Sequence, residues 1–148
     1  MSKIFTDKMD NMSKSFDAFL TGGKALFTVR NSLTDNRFTF RVRQCRDKET
    51  LFFISVLVGP DNYTNYKFFG ILVVENDVIK YFYSYKSAKI SINAPSVKAF
   101  KQFFEDRHNL PSNVEVWSAG RCSRCNYRLT SEWAKIGIGP ECYKKMGF

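Results

Sequence analysis

Histidine is almost missing from this 148-residue chain: His108 stands alone. No G-x-S-x-G elbow, phosphate-cradling glycine loop or H-x-E deaminase motif occurs either, so the usual scaffolds for acyl transfer, nucleotide hydrolysis and zinc deamination are not expected. Acid is also scarce, 14 carboxylates against 23 Lys and Arg, and Asp35, Asp47, Glu49 and Asp61 sit at turns rather than in a cluster. A metal-dependent nuclease needs clustered carboxylates and histidines, and the reading is therefore not an enzyme. Long apolar runs are lacking too. The longest, Leu51–Val58, is broken by Ser55 and falls far short of the ~20 residues a spanning helix needs. The first residues show no signal-length apolar stretch, and no basic amphipathic helix or lipidation motif points to a membrane partner. Cysteine is limited to four, three close together near the C-terminus and Cys45 far away. That distribution suits a reducing, cytoplasmic compartment better than a disulfide framework.

What the chain does have is aromatic mass, with 15 Phe and seven Tyr, which disordered chains lack. Residues 7–21 read as a helix: Met9, Met12, Phe16, Phe19 and Leu20 recur at helical spacing before Gly22-Gly23. Strands follow at Ala25–Asn31, Arg37–Gln44, Thr50–Val58, Tyr66–Glu75 and Val78–Ser84. Turns are marked by Leu33-Thr34-Asp35-Asn36, Arg46–Glu49, Gly59-Pro60-Asp61-Asn62 and Glu75-Asn76-Asp77. A second helix begins at Pro95 with Val97, Phe100, Phe103 and Phe104 as its apolar stripe, and Val114–Trp117 reads as one further strand. The expected fold is α+β: a five-stranded antiparallel meander with flanking helices, residues 1–117, then a small module, residues 118–148, of treble-clef or zinc-ribbon type.

The module carries the densest chemistry. Cys122 and Cys125 form a C-x2-C pair, and Cys142 follows after sixteen intervening residues. Two thiolates from one tight turn and a third from a new element are what a zinc knuckle uses. Tyr127–Thr130 and Lys135–Gly137 read as the two arms of a short hairpin. Pro140 would open a helix ending near Gly147, with Cys142 in its first turn, where the helix dipole favours a thiolate. A closed structural zinc site needs a fourth donor. His108 is the first choice, with Cys45, a water or Glu141 as alternatives, and an open position would permit Lewis-acid chemistry.

The segments Gly120-Arg121-Cys122-Ser123-Arg124-Cys125-Asn126-Tyr127-Arg128-Leu129-Thr130 and Gly137-Ile138-Gly139-Pro140-Glu141-Cys142 resemble a domain of phage- and plasmid-borne proteins without a settled activity. Its pattern runs C-x2-C-G-R-x-L-T, then G-I-G-P-x-C. The resemblance covers about thirty residues and implies a mobile-element setting and zinc bound by the cysteines. In that family a histidine shortly before the first cysteine completes the ligand set. Here Trp117-Ser118-Ala119 stands instead, and Asn126-Tyr127 replaces Gly-Arg.

The net charge is +9, which favours nucleic acid or an acidic partner. Arg37, Arg41 and Arg43 share one face of their strand, Arg30 sits one strand earlier, and Arg121, Arg124 and Arg128 rim the module. Guanidinium forks suit phosphates, and Tyr81, Tyr83 and Tyr85 alternate on a nearby strand where they would stack on bases. A charged, half-solvated sheet face is the competing explanation. The leading expectation is a zinc-binding protein that engages DNA or RNA. The alternative is a mobile-element factor that docks on a host nucleic-acid or defence enzyme and blocks it.

Overall fold

The computed structural model describes residues 5–10, 14–59 and 65–146. Its elements are β1 (Asp7–Lys8), α1 (Lys14–Leu20), β2 (Lys24–Asn31), β3 (Arg37–Gln44), β4 (Leu51–Leu57), β5 (Tyr66–Glu75), β6 (Val78–Tyr83), α2 (Pro95–Asp106), β7 (Val114–Ser118), α3 (Ser131–Ala134) and α4 (Pro140–Lys145). The fold is α+β, and every strand pairing is antiparallel.

Five strands form the expected meander, but the sheet has seven, in the order β1-β7-β2-β3-β4-β5-β6. The strand β7 slots beside β2, with Val29 opposite Val116, and β1 pairs in turn with β7. The start of the expected helix 7–21 is therefore strand: Asp7 and Lys8 lie opposite Ser118 and Trp117. Met9 is buried as its spacing suggested, held by its N–H to the carbonyl of Val116 rather than by a helical turn. Met12, the Pro60–Asn62 part of the expected turn, and Gly147 lie outside the described residues.

One face of the sheet is dry. Alternation in β2 and β3 turns Ala25, Phe27, Phe40 and Val42 inward, all fully buried. Helix α2, opened by Pro95 in its first turn, lays Phe100 between Phe40 (ring centres 5.1 Å), Phe69 (5.6 Å) and Tyr81 (5.2 Å). Phe16 of α1 meets Phe103 of α2 edge to face at 5.7 Å. A bulge aids this packing: Ile54 pairs with Gly70 but Ser55 with Phe68, leaving Phe69 unpaired and pressed into the core. The β5–β6 hairpin closes on Asn76 and Asp77, at φ 50° and 63°, the two positive values of a type I′ turn.

The other face stays open to solvent. Phe53, Val78 and Phe82 remain 39%, 54% and 50% exposed there. The expected placement of Tyr81 and Tyr83 on this face is reversed. Both pack on the core, where burial, followed by Tyr83 and Tyr85, pushes the Tyr81 phenol up to about 12. Tyr83 donates its hydroxyl to the Ile90 carbonyl at 2.6 Å. The outward ring of β6 is Phe82.

Candidate metal centre

Local backbone demands build the cysteine knuckle. Gly120 (φ 70°) turns the chain out of β7, and Leu129 N–H reaches back to the Gly120 carbonyl at 2.7 Å. The Cys122 N–H bonds Tyr127 O at 2.8 Å, and the Asn126 N–H returns to Cys122 O at 2.8 Å. Asn126 itself sits at φ 67°, a left-handed position that glycine and asparagine tolerate best.

The Sγ atoms of Cys122, Cys125 and Cys142 all lie within 4.8 Å of one another. In a tetrahedral zinc–thiolate site, with metal–sulfur bonds of about 2.3 Å, sulfurs stand roughly 3.8 Å apart. A small inward adjustment therefore closes them on one ion, and three thiols converging in a largely buried spot fit a soft metal. Cys122 and Cys142 are buried and Cys125 is exposed. Ala18 of α1 and Ile138 back the cluster from the protein side, with Leu129, Ile136, Tyr143 and Met146 around them.

The electrostatics suit an anion at Cys122. Burial raises its thiol, but the N–H groups of Gly139, Cys125 and Arg124 outweigh that and the net direction is down. Two of these donors point at Cys122 Sγ, Gly139 N at 3.3 Å and Arg124 N at 3.4 Å. Cys142 goes the other way: burial first, then the two neighbouring sulfurs, push its thiol up. A cation among the sulfurs reverses that logic.

Helix α4 begins at Pro140 and carries Cys142 in its first turn, as expected. The second hairpin arm is a correction: Lys135–Gly137 form a turn that follows the short helix α3, and the partner of Arg128 is Arg121. Glu132 in the first turn of α3 suits the positive end of a helix.

His108 is not part of the cluster. Its Nε2 lies 3.0 Å from Asp17 Oδ2, while Arg107 Nε donates to Asp17 Oδ1 at 2.7 Å. The carboxylate of Asp17 thus claims the histidine, and no fourth His, Cys, Asp or Glu among the described residues joins the three cysteines. Cys45 is instead a half-buried residue whose N–H bonds Leu51 O. Glu141 is exposed and likewise outside the group.

The module is tied to the sheet rather than hung from it. Ser123 O accepts from Lys24 N at 2.7 Å, and Lys135 O accepts from Asp10 N at 3.0 Å. Gly22 lies so close to Ser123 that a Cβ there would overlap the serine hydroxyl.

The seven candidate arginines fall into two classes. Arg30 is spoken for, donating to Asp35 at 2.8 Å and to Glu115 at 2.9 Å, and Arg37 donates to Asp35 at 2.9 Å. Those bonds raise the Arg30 guanidinium and hold Asp35 below the ordinary carboxylate value. Arg41 and Arg43 have no acidic partner among the described residues. The Arg41 guanidinium lies 4.3 Å from the centre of the Tyr66 ring. Burial first and then the charge of Arg43 press its pKa down. In the module, Arg121, Arg124 and Arg128 are exposed, and Arg121 and Arg128 face each other across the knuckle. Among the described residues, no helix is long and apolar enough to cross a membrane. In comparisons with known proteins, no family model, curated protein or solved structure matches this chain.

Proposed function

We propose that this chain is a small zinc-stabilised protein, of phage or plasmid type, that binds nucleic acid and is not an enzyme. The observation that carries the reading is the uncompensated pair Arg41 and Arg43 on an open sheet face, in a molecule of net charge +9. Two guanidiniums on one strand face with no carboxylate paired to them are open to an anion, and polyphosphate is the anion that a fork-shaped donor suits best. Zinc is the metal that three thiolates in a knuckle select most readily in a reducing cell. Its role is to hold the module, whose exposed Arg121, Arg124 and Arg128 add to the positive charge offered to a phosphate.

The test is binding of labelled oligonucleotides to the metal-loaded protein over a salt series. Affinity should fall steeply with salt, and Arg41→Glu combined with Arg43→Glu should abolish binding with circular dichroism unchanged. Undiminished affinity in that variant sinks the placement. A second reading, docking on a host nucleic-acid enzyme, is favoured by the exposed apolar side chains of Phe53, Val78 and Phe82. A pull-down from lysate with and without nuclease separates the two: one host protein retained after nuclease supports docking.

A further inference from the structure

The open face of the sheet has an internal order that charge alone does not explain. Reading across the strands, Lys24 stands opposite Arg43, Arg43 opposite Phe53, Phe53 opposite Ile71, and Ile71 opposite Phe82. One transverse row therefore runs from two cations to two exposed phenyl rings with an isoleucine between them. Neighbouring strands lie about 4.8 Å apart, so Arg43 is one strand spacing from Phe53, and Phe82 two further on. Phe68, on the same face, braces Phe53 edge to face at 5.9 Å. Arg41 stands beside Arg43 on the same strand face with Tyr66 beneath it. Asp35 and Glu115 lie with Arg30 and Arg37 at the far side of the face, Glu75 is taken by Lys80, and no carboxylate among the described residues, Asp47 and Glu49 of the β3–β4 turn included, forms an ion pair with Arg41 or Arg43.

Resting on the nucleic-acid reading above, we infer that the ligand is a single strand laid across this row, its phosphates on Arg41 and Arg43 and its bases on Phe53 and Phe82. A duplex keeps its base faces stacked inside and would use only the cations, leaving the rings in water. Unpaired bases present a π-face to each ring, and such stacking tolerates any sequence. An open sheet face also lacks the protruding helix or ribbon that enters a major groove. Aromatic rings flanked by unpaired guanidiniums are thus matched to the two halves of a nucleotide.

The experiment is fluorescence anisotropy of the metal-loaded full chain with dye-labelled oligo(dT), oligo(U) and a duplex of equal length. Single strands should bind roughly tenfold or more tightly than the duplex. The double variant Phe53→Leu, Phe82→Leu keeps apolar bulk but removes both rings, and should weaken single-strand binding by on the order of a hundredfold. As an independent measurement, Phe82→Trp should retain affinity and show indole emission quenched by oligo(dT). Duplex binding as tight as single-strand binding, with the leucine variant unaffected and no quenching, overturns the inference and leaves nucleic-acid binding standing. No binding to any oligonucleotide removes both. A parent protein that sediments as a dimer, and as a monomer once the rings are replaced, assigns the row to a second copy of the chain and also overturns it.

Discussion

The sheet and the cysteine module solve the same problem with unequal means. The sheet stacks aromatic rings in depth: Phe27, Phe40, Phe69 and Phe100 are fully buried and touch in a chain of tilted and edge-to-face contacts. Around the cysteines, by contrast, the buried apolar atoms come from Ala18, Cys122, Ile138 and Cys142, with four partly buried neighbours. So small a cluster offsets little of the entropy of ordering some thirty residues. Glycine turns, backbone bonds to Lys24 and Asp10, and the convergence of three sulfurs make up the rest. The sheet should therefore be stable by packing, and the module conditional on its ion.

The largest expected effect tests that contrast directly. Metal chelation, or Cys122→Ser, should release residues 118–146 together with the β1 and α1 contacts they hold, while β2–β6 stay folded. Hydrogen exchange read by mass spectrometry would show fast exchange in the module and persistent protection in the sheet. Uniform loss of protection would mean that the two regions form one cooperative unit. In the opposite direction, Phe100→Ala leaves a void among five rings and should cost about 3–5 kcal/mol of global stability without lowering metal affinity. Denaturant titration and a metal competition assay check the two halves of that statement.

Gly137→Ala is a smaller, sharper probe of the seam. Gly137 sits at φ 81°, and a Cβ there would press into Phe19 and Met9, which belong to the sheet core. Left-handed strain plus overpacking should cost about 2–4 kcal/mol, felt first as weaker metal retention. Asn126→Gly relieves a positive φ in the knuckle and should be neutral or slightly stabilising by thermal melting. A clear loss there would mean that the asparagine side chain has a role beyond its backbone.

How much of this was legible follows from the range of each interaction. The strand β3 is legible in the alternation of Arg37–Gln44 and β5 in the turn residues that bound Tyr66–Glu75, because both signals are local. The three cysteines were legible for the same reason, since a knuckle carries its own spacing. Two-residue β1 has no pattern of its own and exists only because β7 comes alongside. The phase of β6 was unreadable: Tyr81, Phe82 and Tyr83 are all aromatic, and only α2 decides which of them turn inward. His108 looked available because Asp17, its captor, is 91 residues away in sequence. The neutralisation of Arg30 by Glu115, across 85 residues, was hidden likewise. Sequence thus marked the charged face, and the fold sorted its arginines into paired and unpaired.

That sorting yields the smallest effect, a pH dependence confined to the paired side. Glu115 is held below its ordinary value first by the indole N–H of Trp117, then, against the opposing effect of burial, by Arg30 and Lys8. Asp35 is lowered by hydrogen bonds from Arg30 and Arg37. A carboxylate with a lowered folded-state pKa stabilises the fold above its unfolded value, and that contribution is lost as pH falls through the folded one. These pairs should therefore be at full strength at neutral pH and fade only below about pH 4. Because Trp117 donates to Glu115 at 3.1 Å, its emission should shift over that window, and Glu115→Gln should remove the shift. The paired face should contribute little to nucleic-acid affinity, so the same substitution should leave binding at neutral pH nearly unchanged, whereas Arg43→Ala weakens it. If Glu115→Gln instead strengthens binding markedly, Arg30 has been freed to act as a phosphate contact, and the division of the face into paired and unpaired halves is a matter of charge balance rather than of fixed geometry.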